Sequence, residues 1–228
     1  MELLSGADML IRSLQDEGIE YIYGYPGGAA LHIYDALFRQ DKVKHILVRH
    51  EQAAVHMADG YARQTGRPGV CFVITGPGVT NIATPMAQAY SESIPMLVIS
   101  SVNDRRHMGL GQGQLHELPD QRAVMIQVSA FSHTLHSLAD LPKVLARAFA
   151  VFESARPRPV HVEIPLDLWD EVPPADLPAP RPAAQATVPA PAQMKEAHAA
   201  LVAAVDDRPG LVGVGGQRLL AEDVQPGV

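Results

Sequence analysis

One cysteine, Cys71, is all that the 228 residues contain, so no internal disulfide can form. It lies in the apolar run GVCFVIT (69–75), where a cysteine is a small buried side chain, and this usage fits a reducing cytoplasm. No apolar run approaches the ~20 residues needed to cross a bilayer. The start, MELLSGADMLIRSL, is acidic and amphipathic and lacks the basic head and apolar block of a signal peptide. A net charge of −7 without a basic stripe argues against nucleic acid or an anionic membrane as partner. No Gly-x-Ser-x-Gly elbow is present, no glycine loop carries the lysine of a phosphate loop, and no three ligands have metal spacing. What the chain does have is a 47% apolar composition, enough for a proper core.

The apolar residues fall in short β-rich runs alternating with helix-length amphipathic stretches. Ser5 is placed to cap a helix with apolar positions at Ala7, Leu10, Ile11 and Leu14, and Gly18 ends it. Strands are expected at 21–25, 44–49, 69–75, 95–100, 131–136 and 159–164. Helices are expected at 27–40, from Glu51 to about 66, at 79–93 with a kink at Pro85, and at 141–155. Apolar, non-alternating strands separated by helices indicate a parallel sheet covered on both faces. The fold class expected is therefore α/β: a doubly wound, mainly parallel six-stranded sheet in residues 1–171. Seven prolines between Val172 and Ala192 read as an extended linker (172–192). Residues 193–228 read as a helix, a turn and a strand into a glycine turn, the truncated start of a second α/β domain.

Ligands of doubly wound sheets bind beyond the carboxyl ends of the strands, and three loops there carry unusual residues. GYPGG (24–28) is either a tight turn or a place of close backbone approach to a ligand. Glu51 stands where a strand meets an alanine-rich helix. An acid is favoured there by ~0.3–1 kcal/mol from the helix N-terminus alone, and it is also placed to face a ligand and move a proton. TGPGVTN (75–81) is a rigid turn opening a helix, similar to an anion-binding helix start, with Thr80 and Asn81 able to donate or accept. The longer loop GLGQGQLHELPDQ (109–121) lacks a dinucleotide spacing. Its His116 suits acid–base work or bonds to backbone, whereas His50, His56, His133 and His136 read as structural.

Taken in order, Gly-Tyr-Pro-Gly-Gly, then Arg-His-Glu-Gln-Ala-Ala-x-His-Met-Ala-Asp-Gly-Tyr-Ala-Arg, then Thr-Gly-Pro-Gly-x-Thr-Asn resembles the N-terminal pyrimidine-binding domain of thiamine diphosphate enzymes, closest to the acetolactate synthase group. The likeness covers about residues 4–170. It implies that Glu51 bonds the N1′ atom of the cofactor's aminopyrimidine and promotes formation of the thiazolium ylid, which decarboxylates a 2-oxo acid. It places Tyr25, Pro26, Gly27 and Gly28 near the cofactor's reacting end, and Gly76, Pro77 and Asn81 around the pyrimidine. It also implies Mg2+ held by a Gly-Asp-Gly motif in a C-terminal domain that this chain lacks, so no metal ligands are expected here and the chain alone is expected to bind cofactor weakly or not at all. A homodimer or tetramer with a shared active site follows from the same resemblance, and FAD in the central domain is left open.

The acetolactate synthases carry Ala-Phe-Gln-Glu where this chain reads Gln114-Leu115-His116-Glu117, followed by extra residues LPDQ. A histidine in place of glutamine changes the proton supply near the reacting centre. The loop is somewhat similar to that of decarboxylases acting on guanidino-2-oxo acids from arginine catabolism. Glu117 and Asp120 either meet a cationic substrate tail or are simply solvated. Simple decarboxylation with His116 in a catalytic role is the expected function. The alternatives are an acetolactate synthase-type carboligase and, from another class, a non-catalytic nucleotide-binding or assembly paralogue.

Overall fold

The computed structural model describes residues 4–154, 156–174 and 191–206. The chain forms two units, Met1–Ala186 and Thr187–Val228. In the first, the elements run α1 (Gly6–Asp16), β1 (Tyr21–Gly24), α2 (Leu31–Phe38), β2 (Lys44–Leu47), α3 (Glu51–Thr65), β3 (Gly69–Val73), α4 (Pro77–Asn81), α5 (Ala83–Glu92), β4 (Met96–Val102), α6 (Gln121–Met125), β5 (Phe131–Thr134), α7 (Leu141–Ser154) and β6 (Pro159–Pro165). The second contributes one described helix, α8 (Pro191–Asp206). The expected linker lies largely outside the described residues, as do the turn and strand expected after α8.

Local chemistry accounts for the element boundaries. Ser5 Oγ accepts from the Asp8 N–H at 3.2 Å and Asp8 Oδ2 accepts from the Ser5 N–H at 3.0 Å, a reciprocal cap for α1. The expected helix over 79–93 is instead two helices. Pro85 has no N–H to give the Asn81 carbonyl and its ring crowds that group, so the first helix stops at Asn81 and a second begins at Ala83. The short helix α6 was not expected; Asp120 caps it by accepting from the Ala123 N–H at 2.8 Å.

All six strands are parallel, in the order β2-β1-β3-β4-β6-β5. Side chains alternate between the two faces of the sheet. Val70, Phe72, Leu97 and Ile99 pack with α1, α2 and α7, whereas Cys71, Val73, Met96 and Val98 pack with α3, α5 and α6. With both faces covered, the interior strands are mostly apolar, which explains runs such as GVCFV; the polar exceptions lie on β4 and β6. Cys71 is buried as expected, and burial pushes its thiol up beyond the ordinary range. The second strand departs from expectation: β2 forms the sheet edge, and Leu47 is 63% exposed.

From β1 the chain moves outward to β2 and then returns past β1 to start β3 on its other side. The order therefore reverses between β1 and β3. The crevice beyond their carboxyl ends is where a doubly wound sheet receives a ligand.

Candidate functional site

Three loops converge on that crevice. After β1, Tyr25, Pro26 and Gly28 are exposed, while Gly27 faces Ile74 closely enough that any side chain at that position would collide with it. After β2, Glu51 is the first residue of α3, and the His50 ring caps the helix by accepting from the Gln52 N–H at 3.1 Å. After β3, Gly76 turns the chain with φ +65° and Pro77 opens α4.

Glu51 is only 7% exposed. Asn81 Nδ2 donates to its Oε2 at 2.9 Å, and among the described residues no arginine, lysine or histidine pairs with it. A side chain at Gly78 would begin 2.6 Å from Ile74 Cγ2 and 3.4 Å from Glu51 Oε1, so the glycine lets α4 pack on Ile74 with its backbone beside the carboxylate. A surface acid placed only for the helix charge would be solvated. This one is instead enclosed, with a neutral amide on one oxygen and the other oxygen free to take a proton or an N–H from a ligand.

At the expected anion-binding helix start, part of the donor set is already engaged. α4 has five residues, and the Gly76 N–H is already committed to Gln121 Oε1 at 2.8 Å. Thr80, one of its two candidate polar groups, is exposed and donates to the Pro77 carbonyl at 3.1 Å.

The loop between β4 and α6 folds back onto this turn. The backbone carbonyl and Cβ of His116 occupy the space where a side chain at Gly76 would stand. Asn103 Nδ2 holds the preceding carbonyl, that of Leu115, at 3.0 Å. His116 is half-buried with φ +58°, an uncommon conformation for a residue with a side chain. His116 thus stands beside Gly76, next to the turn that touches Glu51.

The two acids nearby serve the loop itself. Glu117 accepts from the N–H groups of Gly111, Gly113 and Gln114 at 2.7, 2.8 and 3.0 Å. Desolvation pushes its carboxyl up, but these donors and the Gln112 N–H outweigh that and hold it below the ordinary range. Asp120 caps α6. Neither acid is free in the way that a purely solvated one would be.

Sequence reasoning missed a buried polar layer behind the site. Gln121, Ser100, Ser132, His161 and Glu163 are all buried. The His161 ring pairs with Ser100 Oγ at 2.9 Å and Ser132 Oγ at 2.7 Å, and complete burial pushes its pKa down to about 3, so it is neutral. Glu163 accepts from Thr134 Oγ1 at 2.6 Å and Gln121 Nε2 at 3.0 Å, and burial raises its carboxyl above the ordinary range. The signal was present in PVHVEI, where two polar residues share one face of an otherwise apolar strand.

Residues 4–124, just over half of the chain, match the family described as thiamine pyrophosphate enzyme, N-terminal TPP binding domain. The chain belongs to that family. The thiamine pyrophosphate domain is 53% identical over 165 residues to a probable 2-ketoarginine decarboxylase of Pseudomonas aeruginosa, covering 72% of this chain and 29% of that protein. It is 46% identical over 167 residues to the acetolactate synthase large subunit of Haemophilus influenzae, covering 73% and 29%. With the large subunit of acetolactate synthase isozyme 3 of Escherichia coli it shares 47% over 168 residues, covering 74% and 29%. The chain spans under a third of the length of these relatives. An enclosed carboxylate with one oxygen bonded to Asn81 and the other unengaged among the described residues fits the aminopyrimidine of the family's cofactor. Among the described residues, no group of three or more histidine, cysteine, aspartate or glutamate side chains is placed to hold a metal ion, and no helix is long and apolar enough to cross a membrane.

Proposed function

We propose that this chain is the pyrimidine-binding part of a thiamine diphosphate enzyme that decarboxylates a 2-oxo acid, with a guanidino-2-oxo acid as substrate class. The enclosed Glu51 carboxylate, bonded to Asn81 and otherwise unpaired, is the observation that carries the reading. The 53% identity to a protein named as a 2-ketoarginine decarboxylase, together with the divergent loop around His116, favours decarboxylation. The acetolactate synthase relatives, at 46% and 47% identity, keep carboligation as the second reading.

When bound, thiamine diphosphate supplies the electron sink that accepts the electrons of the breaking carbon–carbon bond. The chain's own residues bind and orient it. With the cofactor bound, Glu51 would share a proton with the N1′ atom of the aminopyrimidine through its free oxygen, and the Asn81 bond orients the carboxylate for it. Gly27, Gly76, Pro77 and Gly78 bring backbone close to the ring, and Tyr25, Pro26 and Gly28 form the exposed rim toward the reacting end. His116 delivers a proton to the product side. Mg2+ for the diphosphate, a second subunit completing the site and a cytoplasmic location all belong to this proposal for the whole protein.

The test uses the full-length protein with thiamine diphosphate and Mg2+. Carbon dioxide release is followed from pyruvate, a branched 2-oxo acid and a guanidino-2-oxo acid. Release from the guanidino acid, lowered about 10²–10⁴-fold by Glu51→Gln, is expected. Equal release by the variant would remove Glu51 from the proton chemistry, and acetolactate formation from pyruvate would favour the second reading.

A further inference from the structure

Gln121 joins the long loop after β4 to the turn after β3. Its side chain is 3% exposed and makes five hydrogen bonds. Oε1 accepts from Thr75 Oγ1 at 2.9 Å and from the Gly76 N–H at 2.8 Å. Nε2 donates toward Ser100 Oγ at 3.1 Å, the Ser101 carbonyl at 3.0 Å and Glu163 Oε2 at 3.0 Å. The Gly76 N–H can only donate, so the amide's orientation is settled by chemistry: oxygen toward the turn, nitrogen toward the sheet.

The two sides of this side chain differ in rigidity. Behind it lie β4 and β6, paired over Met96 to Val102 and Pro159 to Pro165 in the sheet interior, with Thr134 of β5 bracing Glu163. In front lies a turn with glycines at 76 and 78. A glycine turn has few side chains to hold it, and the first N–H groups of a helix have no acceptor within the helix. Gln121 supplies that acceptor. The turn it holds carries the His116 backbone against Gly76 and sets Gly78 against Glu51.

We propose that Gln121 is a positioning residue, pinning Thr75 and Gly76 to the sheet and so fixing where the turn, Glu51 and His116 stand relative to the cofactor. The inference rests on the thiamine diphosphate reading above. It assigns a role to the residues that follow the loop in LPDQ: Asp120 starts α6, and α6 delivers Gln121.

The experiment compares full-length wild type with Gln121→Met and Gln121→Glu. Methionine matches the length of the side chain and removes all five bonds. A neighbouring cavity of ≈ 260 Å³, lined in part by Gln121, Asn103 and Thr134, leaves room for it. Glutamate keeps an acceptor toward Thr75 and Gly76. Three readouts are taken: calorimetric affinity for thiamine diphosphate with Mg2+, amide hydrogen exchange of peptides covering 72–86, and turnover. For Gln121→Met we expect cofactor affinity to fall about tenfold or more, in line with the loss of several buried hydrogen bonds, and exchange in 72–86 to quicken while β6 peptides stay protected. Gln121→Glu keeps the acceptor for Thr75 and Gly76 but sets its second oxygen against the Ser101 carbonyl and Glu163 Oε2, so it is expected to recover only part of the affinity. If Gln121→Met does not fold, Thr75→Val, which cuts one bond, should shift affinity and exchange in the same direction by a smaller factor.

A folded Gln121→Met, or in its place Thr75→Val, with wild-type affinity and wild-type exchange in 72–86 would overturn the positioning role and leave Gln121 a purely structural residue. A wild-type protein that neither binds thiamine diphosphate nor turns over a 2-oxo acid would overturn the underlying reading instead. Exchange in 72–86 reports on the pinning itself even then.

Discussion

Gly76→Ala separates the turn's geometry from its chemistry. The residue has φ +65°, and the space for a side chain is filled by the carbonyl oxygen and Cβ of His116. An alanine at φ +65° and ψ −113°, a conformation sparsely populated by residues with a side chain, costs about 1–3 kcal/mol. Pressing its methyl group against a backbone carbonyl, which cannot rotate away as a flexible side chain would, adds about 1–3 kcal/mol. The reduced freedom of the unfolded chain returns only about 0.4–1 kcal/mol. The balance is a loss of roughly 2–3 kcal/mol, a large part of the roughly 5–15 kcal/mol that holds a typical domain folded. Followed by circular dichroism, the melting midpoint should fall by about 5–10 °C for a domain of this size. Gly28→Ala is the control, because its φ is not positive and no atom lies within 4 Å of the added carbon. It should melt within a degree or two of wild type. Gly76→Asn should lose at least as much as Gly76→Ala, since ψ −113° lies outside the left-handed helical region that asparagine tolerates and its Cβ meets His116 as well. A Gly76→Ala variant as stable as Gly28→Ala would refute the close seating of His116 on the turn.

Tyr34→Phe removes a buried hydroxyl that has no hydrogen-bond partner among the described residues, so stability should hold or rise by up to about 2 kcal/mol; a clear drop in melting temperature would show that the hydroxyl is satisfied. Asn81→Leu leaves Glu51 without its amide and should weaken cofactor binding in the full-length protein with little change in melting, as calorimetry and thermal scans can separate. The buried His161, with its pKa near 3 against an ordinary 6.5, is protonated more readily in the unfolded chain than in the folded one. Its contribution to stability is therefore complete above pH 6.5 and is lost as pH falls from there toward 3, by about 1.4 kcal/mol per pH unit at most. His161→Gln should flatten the melting-temperature profile across that range, and an unchanged acid limb would contradict it.

The sheet was legible because burial on both faces keeps β3 and the first four residues of β4 apolar. The same logic misplaced β2: KHILV has the look of an interior strand, yet Leu47 is exposed at the edge, because composition reports what a strand tolerates and not which neighbours it obtains. Pro85 was rightly seen as an interruption, but the break falls at the residues whose carbonyls the ring crowds, not at the proline itself. α6 has five residues and opens inside a polar loop, too short to show a helical period. At the site, Glu51 and the turn after β3 were legible as the ends of strands, and the bond between Glu51 and Asn81 brings together residues thirty apart in the chain. Of the N–H groups at that turn the Gly76 one is taken by Gln121, and a glutamine in a loop looks solvated until the fold encloses it. His161 and Glu163, two residues apart on a central strand, already required partners, since polar groups in a covered sheet are almost always bonded. The sequence thus contained the demand for a buried polar layer. The groups that meet it come from β4, β5 and α6, and only the strand order β4-β6-β5 brings them within reach.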